Sequence, residues 1–541
     1  MKLLISNFIL VISALVLTAA QPLHQLIDRH IAATWNKQNI IPAQPADDAE
    51  FLRRVFLDLT GLIPPPDVAR KFFDDTSHRK RTQLIDQLLA SHQHTLHMAR
   101  IFDVMLTERR VSTIKSYDVK ADRWRDYLID SFAANKPWDQ LTRELLGSDG
   151  ADIKTGPAAK FTLVRNTEPH LLTRDIGRLF LGIDLQCARC HDDPRFDDYL
   201  QADYYGIHAF VNRLRHFYND KTRDNFVEEH ISGDDDYTDV FNSKKDKAQP
   251  RLPGGKAIPD LKVERGKQYI QKRTKEQYYI PSYSRRAQLA KYLPNRTTRN
   301  FSRNAANRLW ALMMHRGLVH PPDLHHAKNP PSHPELMTLL AQRLEAMNYD
   351  IKAFLREIVL SQAYQLSSRL SNGNPPSEAF AVRPLRGLSP EQLALNLMAA
   401  TGHVHRHFGN QPKPLAELRK TFSTLDRNTL TFSKHFAGLP GNPDGPFAPS
   451  VGQALFLLNS DSLRNLLKKD GALLIGRLAK LKASNEIANE LYLSTLTRPP
   501  TEMEKSEVAK HLKNQKGDGR IAALQELAWA RLISAEFRLN H

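Results

Sequence analysis

The stretch "DDAEFLRRVFLDLTGLIPPPDVARKFFDD", residues 47–75, sets Phe51, Leu52, Val55, Phe56 and Leu59 at helical spacing. Gly61 then supplies a helix stop, and Pro64-Pro65-Pro66 sets up the next helix. The same pattern repeats outward. "RTQLIDQLLAS" and "RWRDYLIDSFAANKPWDQLTRELLG" are amphipathic, and Pro137 opens a new helix inside the second. Their Leu, Phe and Trp residues read as core packing.

Periodic apolar residues return in the second half, in "SRRAQLAKYL", "NRLWALMMHRGL", "SHPELMTLLAQRLEAM", "IKAFLREIVLSQAYQL", "SPEQLALNLMAAT", "GQALFLLNSDSLRNLL", "IANELYLSTL" and "LQELAWARLISAEF". Two of these have marked starts: Ser332 with Glu335, and Ser389 with Pro390 and Gln392 in the capping-box places. No fixed-period repeat is present. Between the halves, from about His216 to Tyr283, acidic and basic runs, "PRLPGG" and short pieces such as "YTDVF" read as an irregular insertion with one or two short strands. The expectation is a mainly α chain of two helical domains, 21–215 and 284–541, with an irregular, partly β insertion or linker at 216–283.

The N-terminus adds a compartment. Met1-Lys2 is followed by "LLISNFILVISALVLTAA", with Thr18 and Ala20 at the positions a signal peptidase reads, so residues 1–20 read as a secretory signal cleaved near Gln21. An uncleaved anchor is the alternative, and the lack of a cysteine there argues against a lipid anchor. No later stretch is long and apolar enough to span a bilayer. The expected location is the periplasm or outside the cell.

The chain has 541 residues and a net charge of +17. For an exported protein this points to an anionic polysaccharide, an anionic envelope surface or an acidic redox partner protein rather than nucleic acid. A solvated basic surface with no partner reads equally well. There is no G-x-S-x-G, Walker loop or G-x-G-x-x-G, which removes the common hydrolase, nucleotide and dinucleotide readings.

The only two cysteines lie in "LQCARCHDD", residues 185–193. C-x-x-C-H is the attachment signature of a c-type haem: two thiols at this spacing reach the two vinyl groups of one porphyrin, and the next histidine supplies an axial nitrogen. Cys187 and Cys190 would form the thioethers and His191 would be the proximal iron ligand. Pro194 and the helix expected from Gln201 place the motif at a helix end or on the turn after it. The alternatives are a local disulfide, a thioredoxin-like pair, for which no βαβ pattern is present, and a zinc site, for which no second ligand pair at suitable spacing is present. For a sixth iron ligand, His208 and His216, on the helix after the motif, fall about two turns apart on one face, so either could swing toward the iron. Met98, Met105, Met313 and Met314 are thioether alternatives.

Weaker constellations are His403, His405 and His407 in "HVHRHF", and His320, Asp323, His325, His326 and His333 in a proline-rich loop. A solvated loop and a stiffened connection are the plainer readings. The acidic run Asp234, Asp235, Asp236 lacks the glycine and glutamate of an EF-hand loop.

With these residues in view, "FLRRVFLDLTGLIPPP", "FLGIDLQCARCHDDPRFDDYLQADYYGIHAFV", "PRLPGG", "NRLWALMMHRGLVHPPD", "NPPSHPEL", "IVLSQAYQLSS", "QALFLLNS", "LYLSTLTRPPTEMEK" and "LISAEFRLNH" resemble the planctomycete-type cytochrome-associated two-domain secreted proteins. In these a CxxCH-bearing domain of unknown function precedes a second domain of unknown function. The resemblance implies no settled activity, so covalent haem c is an expectation from C-x-x-C-H alone. Many relatives carry a separate cytochrome c domain ahead of these two, whereas here the signal leads straight into the first. Relatives usually place a second histidine where this chain has Asp193, and their tails are more apolar than one bearing Arg531 and Arg538. The leading expectation is an exported c-type haem protein in electron transfer or peroxide-type redox chemistry. Its rival is a non-redox envelope or polysaccharide-associated protein with a CxxC disulfide.

Overall fold

The structure is a computed structural model that describes residues 21–540 except 112–118, 242, 371–372, 405–413 and 443–449. The expected signal segment, His405 and His407 lie outside the described residues. The chain is mainly α: 56 % of it is helical, and among the described residues the strands form only two-stranded sheets.

Helices α1 (Leu23–Gln38), α2 (Asp48–Thr60), α3 (Pro66–Asp74), α4 (Lys80–Ala90), α5 (His92–Thr107), α6 (Ala121–Ala133) and α7 (Trp138–Gly147) come first. A short α8 (Lys160–Leu163), then α9 (Pro169–Ile176) and α10 (Gln201–Val211) follow. Three antiparallel hairpins come next: β1 (Leu214–Asn219) with β2 (Asp224–Glu229), β3 (Asp236–Thr238) with β4 (Lys245–Lys247), and β5 (Tyr269–Gln271) with β6 (Ile280–Pro281). The helices resume with α11 (Arg285–Tyr292), α12 (Arg299–Met314), α13 (Pro334–Ala346), α14 (Ile351–Leu360), α15 (Gln362–Gln365) and, after β7 (Arg386–Gly387), α16 (Pro390–Ala400). The remainder is α17 (Leu415–Phe436), α18 (Val451–Asn459), α19 (Asp461–Leu466), α20 (Leu474–Lys480), α21 (Ser484–Leu496), α22 (Glu502–Leu512), α23 (Gly517–Leu532), α24 (Ala535–Arg538) and β8 (Leu539–Asn540). Among the described residues no helix is long and apolar enough to cross a membrane.

Helix α2 organises the packing. The Asp47 side chain accepts from the Glu50 N–H at its start, and Gly61 ends it at φ 72°. Only glycine suits Gly61, because a Cβ there would come within 2.4 Å of the buried His97 ring. Every residue from Glu50 to Thr60 is buried, so the helix has no solvent face. Its apolar residues divide. Phe51, Leu52, Val55, Phe56 and Leu59 join a cluster drawn from residues 23–380 and Leu493, while Leu57, with Ile63 just past the helix end, joins a second built from residues 388–537. Hydrophobic packing therefore runs continuously across the 216–283 insertion and changes partner near residue 388.

The charges that α2 buries are all bonded. The Arg53 guanidinium donates to the carbonyls of Thr495 (3.2 Å) and Phe537 (2.8 Å). Arg54 donates to those of Tyr364 and Leu366 and to Glu50 at 2.6 Å. Asp58 accepts from the Tyr364 hydroxyl (2.8 Å) and the Asn540 amide (2.7 Å), with His315 Nε2 at 3.3 Å. Unpaired buried charge is costly, so these contacts fix both clusters on one helix.

Ser389 forms the capping box its sequence foretold. Ser332 does not: α13 is entered through His333, and the Ser332 hydroxyl bonds His333 Nδ1 at 3.1 Å instead of a backbone N–H.

Candidate functional site

The CxxCH turn is built by what precedes and follows it. Glu168 caps α9 by accepting from the His170 and Leu171 N–H groups. The helix runs on as a π-type turn over Gly177–Leu181 and stops at Gly182, φ 73°, where a Cβ would strike His325 and Asn304. Leu185 and Ala188 are buried. Because Ala188, at the centre of a single 3-10 turn over Cys187–Arg189, is the inward anchor, its neighbours Cys187 and Cys190 both face solvent. The motif thus lies beyond the helix end, and the two thiols are free.

His191 is half-buried. Its Nδ1 pairs with the Asp192 carbonyl at 2.7 Å, which leaves Nε2 available, and its ring lies 4.6 Å from that of Phe241. Val240 donates its N–H to the Cys190 carbonyl at 3.2 Å. Val240 and Phe241 are 61 % and 75 % exposed, so an uncovered apolar edge flanks the turn. Asp193 is buried and structural: its carboxylate takes the Arg195 N–H and guanidinium, which hold it below the ordinary carboxylate range. From there Arg195 Nη2 reaches Cys187 Sγ at 3.5 Å.

Two other elements lock the turn. Gln201, at the start of α10, donates its amide to both the Arg189 and Thr238 carbonyls at 3.3 Å, tying motif, helix and β3 together. The proline-rich loop docks on the other side. His325 donates its N–H to the Gly182 carbonyl (2.9 Å), His326 stacks on Phe196 at 3.8 Å, and Asp323 pairs with Arg178 (3.1 Å) and Arg308. This loop is a connection that braces the turn. Sequence reading missed the buried ion network beneath it, where Asp175 and Glu108 pair with Arg110 and Arg178 and Asp175 also takes Arg165. The only signal was charge set inside the apolar run "LLTRDIGRLFLGI".

The idea that His208 and His216 share a helical face is corrected. Helix α10 ends at Val211, and Asn212-Arg213 turn the chain into β1, so His216 lies on a strand opposite Val227 and pairs with Asn225 at 2.7 Å. His208 stays on the helix, buried against His170 (rings 4.6 Å apart) and Tyr205, with Nδ1 3.5 Å from Asp235. Burial and the neighbouring His170 lower it to about 4. Met98, Met313 and Met314 are core residues and Met105 packs against that core. His403 bonds the Thr401 hydroxyl at 3.0 Å. Asp234 pairs with Arg213 and Arg285, and no three metal-binding side chains converge among the described residues.

The residues present suit a covalently held porphyrin. Two free, exposed thiols sit on one turn, and the adjacent imidazole has its second nitrogen occupied by a carbonyl, the arrangement that fixes tautomer and orientation in metal-bound histidines. Arg189 and Arg195, both exposed, are cations within the motif's own segment.

Comparison with known proteins adds two matches. Residues 26–216 match PSCyt2, a protein of unknown function (DUF1549), and residues 285–436 match PSD1, a protein of unknown function (DUF1553). No curated protein and no solved structure matches the chain.

Proposed function

This chain joins a PSCyt2 domain to a PSD1 domain, the planctomycete-type arrangement of two domains of unknown function, and from that premise we propose that it is an exported electron carrier with one haem c. Cys187 and Cys190 hold the group and His191 Nε2 binds its iron. The observation that carries the reading is the His191 Nδ1 contact with the Asp192 carbonyl at 2.7 Å beside two free thiols. When bound, the haem supplies reversible one-electron chemistry.

The chain's own residues do the rest. Ala188 anchors the turn so that both thiols point outward, and the Asp192 carbonyl keeps the proton on Nδ1 so that Nε2 offers its lone pair. Phe241 and Val240 give one apolar flank. A group at an exposed turn lies within reach of a partner, which favours electron transfer over chemistry in a closed pocket. The net charge of +17 makes an acidic redox partner or an anionic envelope surface the complement. The name PSCyt2 associates this domain type with cytochromes, which supports the reading without supplying an activity.

Production of the full chain in a host with haem-maturation machinery tests this. The expected result is haem absorbance that survives denaturation, with the mass adduct on the peptide containing Cys187 and Cys190. A colourless chain lighter by two hydrogens in that peptide would establish the local disulfide and the non-redox rival.

A further inference from the structure

Behind the turn, one helical turn along α10 from Gln201, lies a group of rings that the sequence did not bring together. Tyr204 is 2 % exposed, and its hydroxyl pairs with His170 Nδ1 at 2.7 Å, across 34 positions of sequence. His170 is half-buried, so its ring reaches solvent. Tyr205 contacts Tyr204 edge-on at 5.2 Å and stacks on Tyr237 of β3 at 4.3 Å with an interplanar angle of 4°. Gln201 joins this helix and this strand to the Arg189 carbonyl between the two cysteines. Rings in contact therefore run from the motif's own scaffold to a buried phenol with a base in place.

We infer that Tyr204 and His170 form a proton-coupled redox pair serving the Cys187–His191 turn. Tyr204 gives one electron to a one-electron metal-complex oxidant held at the turn, and its phenolic proton passes to His170 Nδ1. The oxidant is reduced by one electron, and the products are a neutral tyrosyl radical and an imidazolium. Return of one electron and the proton restores both side chains. The inference rests on the redox reading of the turn.

Two features support it. A phenol that loses an electron while keeping its proton becomes strongly acidic, so a base at hydrogen-bond distance lowers the cost of oxidation, and 2.7 Å is that distance. Burial lowers His170 below the ordinary histidine value and raises Tyr204 above the ordinary phenol value, so at neutral pH the pair stands as phenol and neutral imidazole. Enclosure of Tyr204 also shields a radical from solvent, while the open side of His170 lets its proton exchange with water.

The two cysteines make the test local. In the full chain produced without haem, carrying Cys190→Ser, a thiol-reactive ruthenium polypyridyl photosensitiser is attached to Cys187, and flash-quench oxidation is followed by electron paramagnetic resonance and transient absorbance. A tyrosyl radical is expected that forms more slowly in D2O. It should be lost on adding Tyr204→Phe and should form about tenfold more slowly with His170→Phe, while Tyr205→Phe leaves its spectrum unchanged. The deuterium effect needs no change at the pair, so it holds even if a variant folds poorly. An undiminished radical in Tyr204→Phe, or no deuterium effect in the parent, overturns the inference. Because this chain carries no haem, its outcome is separate from that of the haem-adduct experiment.

Discussion

Helix α2 and the CxxCH turn treat polar chemistry in opposite ways. Helix α2 buries Arg53, Arg54 and Asp58 and pairs each to groups 257 to 484 residues away or to Glu50 one turn back. The turn leaves two thiols and the edge of an imidazole at the surface, and what it buries is the methyl of Ala188. In the first region polar groups join two hydrophobic clusters, so removing one strands its partners. In the second the turn is held by Ala188, Asp193 and the Gln201 amide, not by the thiols, so the reactive groups can change without disturbing it.

The comparison is broken most severely at Asp58. Asp58→Ala removes the acceptor of Tyr364 and Asn540 and the carboxylate 3.9 Å from the buried Arg383. The cost expected for stranding a buried charge is about 3–5 kcal/mol, read as a lower urea midpoint. Asp58→Asn, which keeps the shape, should lose less.

Acid attacks the same interior. Burial holds His94 at about 4 and His97 and His325 at about 3, against an ordinary 6.5. Folded values below unfolded ones mean that the unfolded chain binds the extra protons. The stabilisation is complete above 6.5 and is lost as pH falls from there toward the folded values. Asp58 and Asp175, whose folded values are also depressed, add a further loss below the ordinary carboxylate value of 3.8. The urea midpoint should decline steadily from pH 7 to pH 4. A flat profile above pH 4.5 would show that the three histidines are not enclosed.

Within the turn, Ala188→Leu should cost about 1–3 kcal/mol, because a larger side chain at a fully buried position forces the 3-10 turn outward. Haem attachment should fall with it. Full stability together with full attachment would mean that the turn does not depend on this anchor.

What the sequence disclosed separates along the same line. Local devices were legible: the face of Phe51 and Leu59, the stop at Gly61, the capping box of Ser389, and the spacing of Cys187, Cys190 and His191 need only neighbours a few positions away. What depends on distant partners was not. Arg53 and Asp58 look like the polar side of an amphipathic helix until Phe537 and Tyr364 arrive to bond them. The His216 assignment failed because two residues, Asn212 and Arg213, turn helix into hairpin, and β1 is specified by its pairing with β2. The approach of His170 to Tyr204 leaves no local trace at all.

The smallest expected effect on stability is at the thiols. Cys187→Ser exchanges one exposed side chain for another of similar size, and the thiol's contact with Arg195 at 3.5 Å is weak and solvent-exposed. Surface changes of this kind stay within about 0.5 kcal/mol, so the unfolding midpoint should match that of the parent. If the thiols hold a porphyrin, the same change removes one of its two bonds and cuts the covalent haem yield sharply. If they form a disulfide, the closed loop spans only positions 187 to 190, and its loss frees so little chain entropy that stability still barely moves. Stability is therefore blind to the difference and cofactor yield is not, as expected where reactive groups sit on a scaffold that does not depend on them.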